Sequence, residues 1–101
     1  MEYNEDFLNK MVQVGTLGYP LSKIINVLDI ENEEQFKKDF FDEKSIIYNR
    51  YKKGLDKADF VIDSKLFEMS KNGDLKAMSK YQIRKTSQQQ RYFVEKNNNK
   101  K

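Results

Sequence analysis

Residues 21–40 read LSKIINVLDIENEEQFKKDF, and the spacing of their apolar side chains determines the fold predicted for the start of the chain. The i, i+3, i+4, i+7 pattern of an amphipathic helix is found at Leu21, Ile24, Ile25 and Leu28. Phe36 and Phe40 supply the facing stripe of a second helix, which follows a short turn at 29–31. The stretch predicts a helix-turn-helix, a geometry that occurs both in DNA-groove binding and in plain helix packing.

Helix start signals divide the first 42 residues into three helices. Asn4 or Asp6 can cap the first of them. Pro20 suits the first turn of the second helix, because its missing N–H would have no partner there. Asn32 can cap the third. Residues 1–42 are therefore predicted to form a helix-turn-helix region.

Length and composition exclude several classes of protein. A chain of 101 residues suits one domain, and such a domain buries only about two-thirds of its unfolded surface. Charged residues make up 35% of the chain, the mean hydropathy is -0.91, and no apolar run approaches the ~20 residues of a membrane span. These features, with no recognisable signal peptide, are typical of a soluble, cytosolic protein. No membrane association is expected.

The missing residue types argue against catalysis. With no cysteine and no histidine, the chain lacks thiolate ligands, cysteine nucleophiles and the commonest general base. Asp56, Asp59 and Asp63 include an i, i+4 carboxylate pair, but Lys52 and Lys57 lie beside them, so a solvated helix face is the better interpretation. We expect neither an enzyme nor a bound metal or cofactor.

Charge is distributed unevenly along the sequence. Residues 1–43 hold four Lys/Arg against ten Asp/Glu, a net charge of -6, whereas residues 44–101 hold fifteen against six, a net charge of +9. From Lys76 onward there are eight basic residues and one acid, Glu95. A basic end of this kind attracts polyanions, although a solvated tail has the same composition.

A long apolar stripe follows the first 42 residues, with members three or four residues apart. It comprises Ile47, Tyr51, Leu55, Ala58, Ile62, Leu66 and Met69. Such regular spacing predicts one long helix, within which Gly54 permits either close packing or a bend. Asn72-Gly73-Asp74 ends this helix, and a return arm begins at Leu75. Residues 43–85 are thus predicted to form a helical hairpin.

The stripe has two interpretations, an ordinary core or a subunit interface. Tyr48, Phe60 and Phe67 lie off the main seam, so the long helix is apolar on more than one side, which favours self-association. The helical pattern fades after residue 85, although residues 91–94 could extend the arm by a turn or two. Residues 86–101 are predicted to be a basic, polar, disordered tail, with its low-complexity end at 97–101. The fold class predicted is all-α.

Several of these features occur together in one known family. The helix-turn-helix, the segment Tyr51-Lys-Lys-Gly54 with Ala58 four residues later, the long helix, and Gly73-Asp-Leu-Lys-Ala77-Met78 follow one another over roughly residues 5–85. In order and spacing this resembles bacteriophage small terminase subunits. The recognition-helix tryptophan common in that family is absent here, where the segment Phe36-Lys-Lys-Asp-Phe40 has only phenylalanines.

The resemblance implies a non-enzymatic DNA-packaging adaptor in the cytoplasm of a bacterial host. In that family the helix-turn-helix region engages viral double-stranded DNA, the hairpin assembles subunits into a homo-oligomeric ring, and the ring recruits the large terminase subunit. The whole seam from Ile47 to Met69 would then be the oligomerisation surface. Two alternatives stay open: a small dimeric helix-turn-helix transcriptional regulator, and a helical scaffold or virion structural protein without DNA binding.

Candidate DNA-binding residues lie in two places. The third helix offers polar and basic side chains beside three acids, and the return arm and tail offer basic residues interleaved with aromatic ones. The candidates are Gln35, Lys37, Lys38, Arg84, Lys85 and Arg91. Because phosphate repels Glu33, Glu34 and Asp39, the basic end is the alternative contact to the third helix.

Overall fold

The structure of the protein is a computed structural model, which describes residues 3–99. Within that range the chain forms five helices and no strand. They are α1 (Glu5–Thr16), α2 (Leu21–Val27), α3 (Glu33–Phe41), α4 (Ile46–Lys71) and α5 (Leu75–Asn99). The predicted all-α class is confirmed.

Three side chains cap helices, and two of them, Asn4 and Asn32, are caps that the sequence predicted. Asn4 Oδ1 accepts a hydrogen bond from the backbone N–H of Phe7 at 2.8 Å, which caps α1. Asn32 Oδ1 accepts a hydrogen bond from the backbone N–H of Gln35 at 3.2 Å, which caps α3. Asp74 Oδ1 accepts from Ala77 N at 3.0 Å at the start of α5. Each cap satisfies a backbone donor that has no partner within its own helix.

The chain divides into two compact units, Met1–Asp59 and Phe60–Lys101, called here the first and second units. The boundary falls inside α4, whereas the sequence predicted divisions at 42/43 and 85/86. The start of α4 groups with α1–α3 because its side chains complete their core. Ile47 is fully buried there, and Tyr51 is half-buried, with its hydroxyl donating to the carbonyl of Tyr19 at 2.8 Å.

The core of the first unit is built from all of its helices. Its buried members are Leu8, Met11, Val14, Ile24, Ile25, Phe36 and Ile47. Fully burying a side chain of this kind stabilises the fold by about 1.5–3 kcal/mol relative to leaving it exposed. Aromatic rings extend the core. The ring centroids of Phe7 and Phe36 lie 6.3 Å apart in an edge-on arrangement, and those of Phe40 and Tyr51 lie 5.0 Å apart.

Two glycines allow α1 and α4 to cross in close contact. A Cβ atom added at Gly54 would lie 2.1 Å from the carbonyl oxygen of Val12, and one added at Gly15 would lie 2.1 Å from that of Tyr51. Both neighbours are backbone atoms, which cannot rotate away as a side chain can. Of the two roles predicted for Gly54, close packing is the one confirmed, because α4 continues through it as one helix.

The last helix is longer than predicted. α5 runs to Asn99, beyond the turn or two that residues 91–94 were expected to add, so the predicted disordered tail is not confirmed for residues 86–99. Gln, Arg, Lys and Glu in this stretch are good helix formers despite their polarity. Gln88 is also held, because its Nε2 donates to Asp63 Oδ2 at 2.8 Å. Residues 100 and 101 lie outside the described part of the chain.

Candidate nucleic-acid interface and self-association surface

Polar and aromatic contacts join α4 to α5 in the second unit. Arg84 Nε donates to Asp63 Oδ1 at 2.5 Å, and both side chains are largely shielded from water. The rings of Phe67 and Tyr81 lie 5.6 Å apart. Ala77 is buried. These contacts set the register of the hairpin.

The second unit nevertheless leaves most of its large apolar side chains in contact with solvent. They are Phe60, Val61, Ile62, Phe67, Met69, Leu75, Met78 and Ile83, called here the hairpin apolar surface. Phe60 is 72% exposed and Ile83 is 64% exposed. Among the described side chains of this unit, Ala77 is the only apolar one that is buried. The hairpin therefore lacks a core of its own large side chains.

Two rows of this surface follow the turns of α4. Ile62 and Met69 are seven residues apart, and so are Phe60 and Phe67, which places each pair two helical turns apart on one side. At 3.6 residues per turn, the rows are separated by roughly 150° around the helix axis. Asp63, which binds α5, lies on the arc between them. The rows therefore flank the contact with α5 on opposite sides.

The predicted oligomerisation seam divides into two parts with different surroundings. Ile47 and Tyr51 belong to the core of the first unit, so the expectation that the whole seam faces a partner was wrong at its N-terminal end. The rest of the seam is partly or largely exposed. Its members are Leu55, Ala58, Ile62, Leu66 and Met69.

The basic candidates on α5 have different surroundings. Lys85 is exposed, and so are Lys76 and Lys80, which precede it on the same helix. Arg84 instead directs its guanidinium to the Asp63 carboxylate, which neutralises much of its charge. The side chain of Arg91 lies outside the described side chains. The lysines are the described groups of α5 best placed to meet phosphate.

The candidates on α3 are close to acids. Lys37 and Lys38 are exposed, but so are Glu33 and Glu34 in the first turn of the same helix. The side chain of Gln35 is half-buried, and its Nε2 donates to Asp39 Oδ1 at 3.1 Å. One of the two amide hydrogens with which Gln35 could read a base is therefore already used.

Sequence reasoning missed the second partner of Asp39. The Tyr3 hydroxyl donates to Asp39 Oδ2 at 2.5 Å, across 36 residues of sequence. Burial raises the pKa of Tyr3 well above its usual range, and the hydrogen bond to the Asp39 carboxylate and the charge of that carboxylate raise it further. The pKa of Tyr51 is also raised, by burial. No local pattern marks Tyr3 as a partner of α3.

The described helices also bear on metal binding and on membrane insertion. Within residues 3–99 no group of acidic side chains is arranged to hold a metal ion. None of the described helices combines the length and apolar character needed to cross a membrane.

No protein family matches the sequence, and comparisons with curated proteins and with solved structures find no match either.

Proposed function

We propose that the protein is a non-enzymatic DNA-packaging adaptor of the small terminase type, which binds double-stranded DNA and assembles as a homo-oligomeric ring. The observation that carries the proposal is the hairpin apolar surface, which is exposed on the same unit as the lysines of α5. Three parts of the proposal follow from the resemblance of residues 5–85 to that family. They are the helix-turn-helix assignment of α2 and α3, the recruitment of a large terminase subunit and the location in a bacterial host cell.

The amount of exposed apolar area supports self-association. Eight large side chains that each leave on the order of 100 Å² exposed give each copy roughly 800 Å² of apolar area, so a contact on one side of the hairpin would bury about half of the area per partner of a standard stable interface. Burial of this area in a second copy would supply the core that the hairpin lacks.

The two rows on α4 favour a ring over a symmetric dimer. The row of Ile62 and Met69 differs in composition from the row of Phe60 and Phe67, and the two lie on opposite sides of the contact with α5. A copy with two different adhesive sides joins its neighbours head to tail, and head-to-tail contacts close into rings when the rotation allows it.

The difference in net charge between the two units supports the placement of DNA on α5. The second unit carries ten Lys/Arg against four Asp/Glu, a net charge of +6, whereas the first unit carries nine against twelve, a net charge of -3. A phosphate contact by Lys80 or Lys85 is weak on its own, but several copies in one ring contact the same duplex and gain from avidity. We therefore place the main phosphate contact on α5 and not on α3.

A salt titration of DNA binding, read together with the native mass, tests the proposal. The chain should elute as an assembly of more than two subunits by light scattering on a size-exclusion column. Fluorescence anisotropy with a labelled duplex should show binding that falls steeply with salt and depends little on sequence, because phosphate contacts carry it. A dimer with strong preference for one sequence would instead indicate the transcriptional regulator.

The second candidate is a helical scaffold or virion structural protein. The observation in its favour is the acidity of α3, whose exposed Glu33 and Glu34 precede the lysines at its centre. In this case the hairpin apolar surface still drives assembly, but no binding to duplex DNA is expected at low salt, where phosphate contacts are strongest.

A further inference from the structure

A cleft in the first unit is lined by two partly exposed aromatic rings, Tyr3 and Phe7, and has a carboxylate rim. It lies between the start of α1 and the turn that joins α2 to α3, and its volume is about 430 Å³. Tyr3 and Phe7 line it, with their rings stacked 5.3 Å apart, and Phe36 lies beneath them, fully buried. Asp29 and Glu31 stand at the rim, and both are exposed.

The charges around the cleft favour a cation. Its described lining includes two carboxylates and no lysine or arginine. The N-termini of α1 and α3 open nearby and carry partial positive charge, but acids in the first turn of each helix offset it. Aromatic faces attract ammonium and guanidinium groups, and carboxylates at the rim add to that attraction.

The backbone at the rim is left-handed at one residue. Asp29 has a φ of +51°, in the region that glycine, asparagine and aspartate adopt most readily. The turn is closed by the N–H of Ile30, which donates to the carbonyl of Ile25 at 3.1 Å. A carboxylate therefore occupies a position where the turn itself does not require one.

We propose that this cleft binds a lysine or arginine side chain from the basic C-terminal end of a second copy of the chain. The argument for that occupant is charge complementarity, since residues 76–101 carry eight basic residues and one acid, and residues 1–43 carry a net charge of -6. Residues 91–101, RYFVEKNNNKK, hold four of those cations. This contact does not use the hairpin apolar surface, and it does not require Lys80 or Lys85, on which we place the main phosphate contact.

A labelled peptide tests the proposal on the full chain. The peptide RYFVEKNNNKK should bind in an anisotropy titration, and the affinity should fall as salt is added because the contact is ionic. Asp29→Asn combined with Glu31→Gln should weaken binding about tenfold, since it removes both rim carboxylates and keeps their shapes. Asparagine also tolerates the left-handed backbone at position 29.

A matched variant separates the cleft from diffuse charge. Asp42→Asn combined with Glu43→Gln removes the same charge from the same unit, at residues outside the cleft lining, and should change the affinity less than about twofold. Equal losses in the two double variants would overturn the proposal. So would equal binding of a peptide in which Arg and Lys are replaced by Gln, or no binding at all. The native mass and the DNA affinity are measured separately, so their failure leaves this test intact.

Discussion

The two units of the chain use apolar residues in opposite ways. The first unit buries Met11, Ile24, Phe36 and Ile47 completely, whereas the second, among its described side chains, buries only Ala77 and leaves eight large apolar side chains exposed. Both units are helical and both contain part of α4. A continuous apolar seam on one helix can thus be internal core at one end and an open surface at the other.

In their polar contacts the two units are alike, because each has an aspartate with two side-chain partners. In the first unit the side chain of Asp39 is held by Tyr3 and Gln35, and the bond from Tyr3 ties the start of the chain to α3. In the second unit Asp63 is held by Arg84 and Gln88, which tie α5 to α4. Because the polar pairs, the Phe67–Tyr81 contact and Ala77 hold the hairpin, most of its large apolar side chains remain available for another molecule.

The largest effect is expected at the crossing of α1 and α4. In Gly54→Ala the new Cβ would meet the carbonyl of Val12 at 2.1 Å and the N–H of Thr16 at 2.6 Å, so the helices must separate. We expect the first unit to lose more than about 3 kcal/mol of its free energy of unfolding, measured by urea denaturation and near-ultraviolet circular dichroism.

Gly73→Ala is the control for the glycine crossing. Gly73 has a φ of +91°, but no atom lies within 4 Å of the position that a Cβ would take there, so only backbone strain is introduced. The expected cost is about 1 kcal/mol. If the two substitutions cost the same, the close crossing of α1 and α4 is not a feature of the protein in solution.

The second largest effect is expected on self-association, at the exposed C-terminal part of the seam. Ile62→Asp places a charge on the hairpin apolar surface, where Ile62 is 46% exposed, and should weaken self-association at least about tenfold with little loss of helicity. Light scattering measures the mass and circular dichroism measures the helix content. Ser64→Asp, at an exposed polar position of the same helix, should leave the mass unchanged. Unfolding of the Ile62→Asp variant would mean that the seam is core throughout.

The sequence predicted the helix that carries the seam, but not the division of the seam into core and exposed surface. Periodicity identified the helix, and local signals identified the turn at Gly73 and the caps at Asn4 and Asn32, because each depends on residues close together in sequence. Periodicity does not say what lies opposite a stripe. The change from core to surface depends on α1 crossing near Gly54, a contact between residues about 40 positions apart.

The candidate site could be predicted from the sequence only where it depends on composition and not on tertiary contacts. The surplus of lysine toward the C-terminus is a property of composition, and Lys85 is exposed as a phosphate contact needs. The pairing of Arg84 with Asp63 and of Tyr3 with Asp39 depends on tertiary contacts. The helical course of residues 86–99 was missed because a polar, low-complexity composition is shared by disordered tails and by exposed helix ends.

The third effect compares the two units as DNA contacts. Lys80→Gln with Lys85→Gln removes two exposed cations from α5, and should reduce the slope of log affinity against log salt by about 2 for each subunit that contacts the duplex. Lys37→Gln with Lys38→Gln removes the same charge from α3 and should change the slope much less, because Glu33 and Glu34 already weaken that face. Anisotropy titrations at several salt concentrations measure both. A larger change for the α3 pair would place the DNA on the first unit.

The smallest effect is a dependence of the first unit on alkaline pH. Because the pKa of Tyr3 is raised in the folded protein, the unfolded chain loses the tyrosine proton first, near its usual pKa of about 10. The stabilisation from Tyr3 is therefore fully present below pH 10 and is lost as the pH rises toward the folded value. Tyr3→Phe lowers stability at neutral pH by removing the hydrogen bond to Asp39, and should make the decline in stability above pH 10 shallower than in the wild type.

Urea denaturation at pH 7 to 11 measures this decline. Tyr81→Phe, in the second unit, is the control tyrosine and should leave the alkaline slope of the first unit as it is in the wild type. Lysines ionise in the same pH range, so the informative quantity is the difference between each variant and the wild type at each pH. Parallel curves for wild type and Tyr3→Phe would show that the bond between Tyr3 and Asp39 does not hold the start of the chain, and that the first unit rests on its apolar core alone.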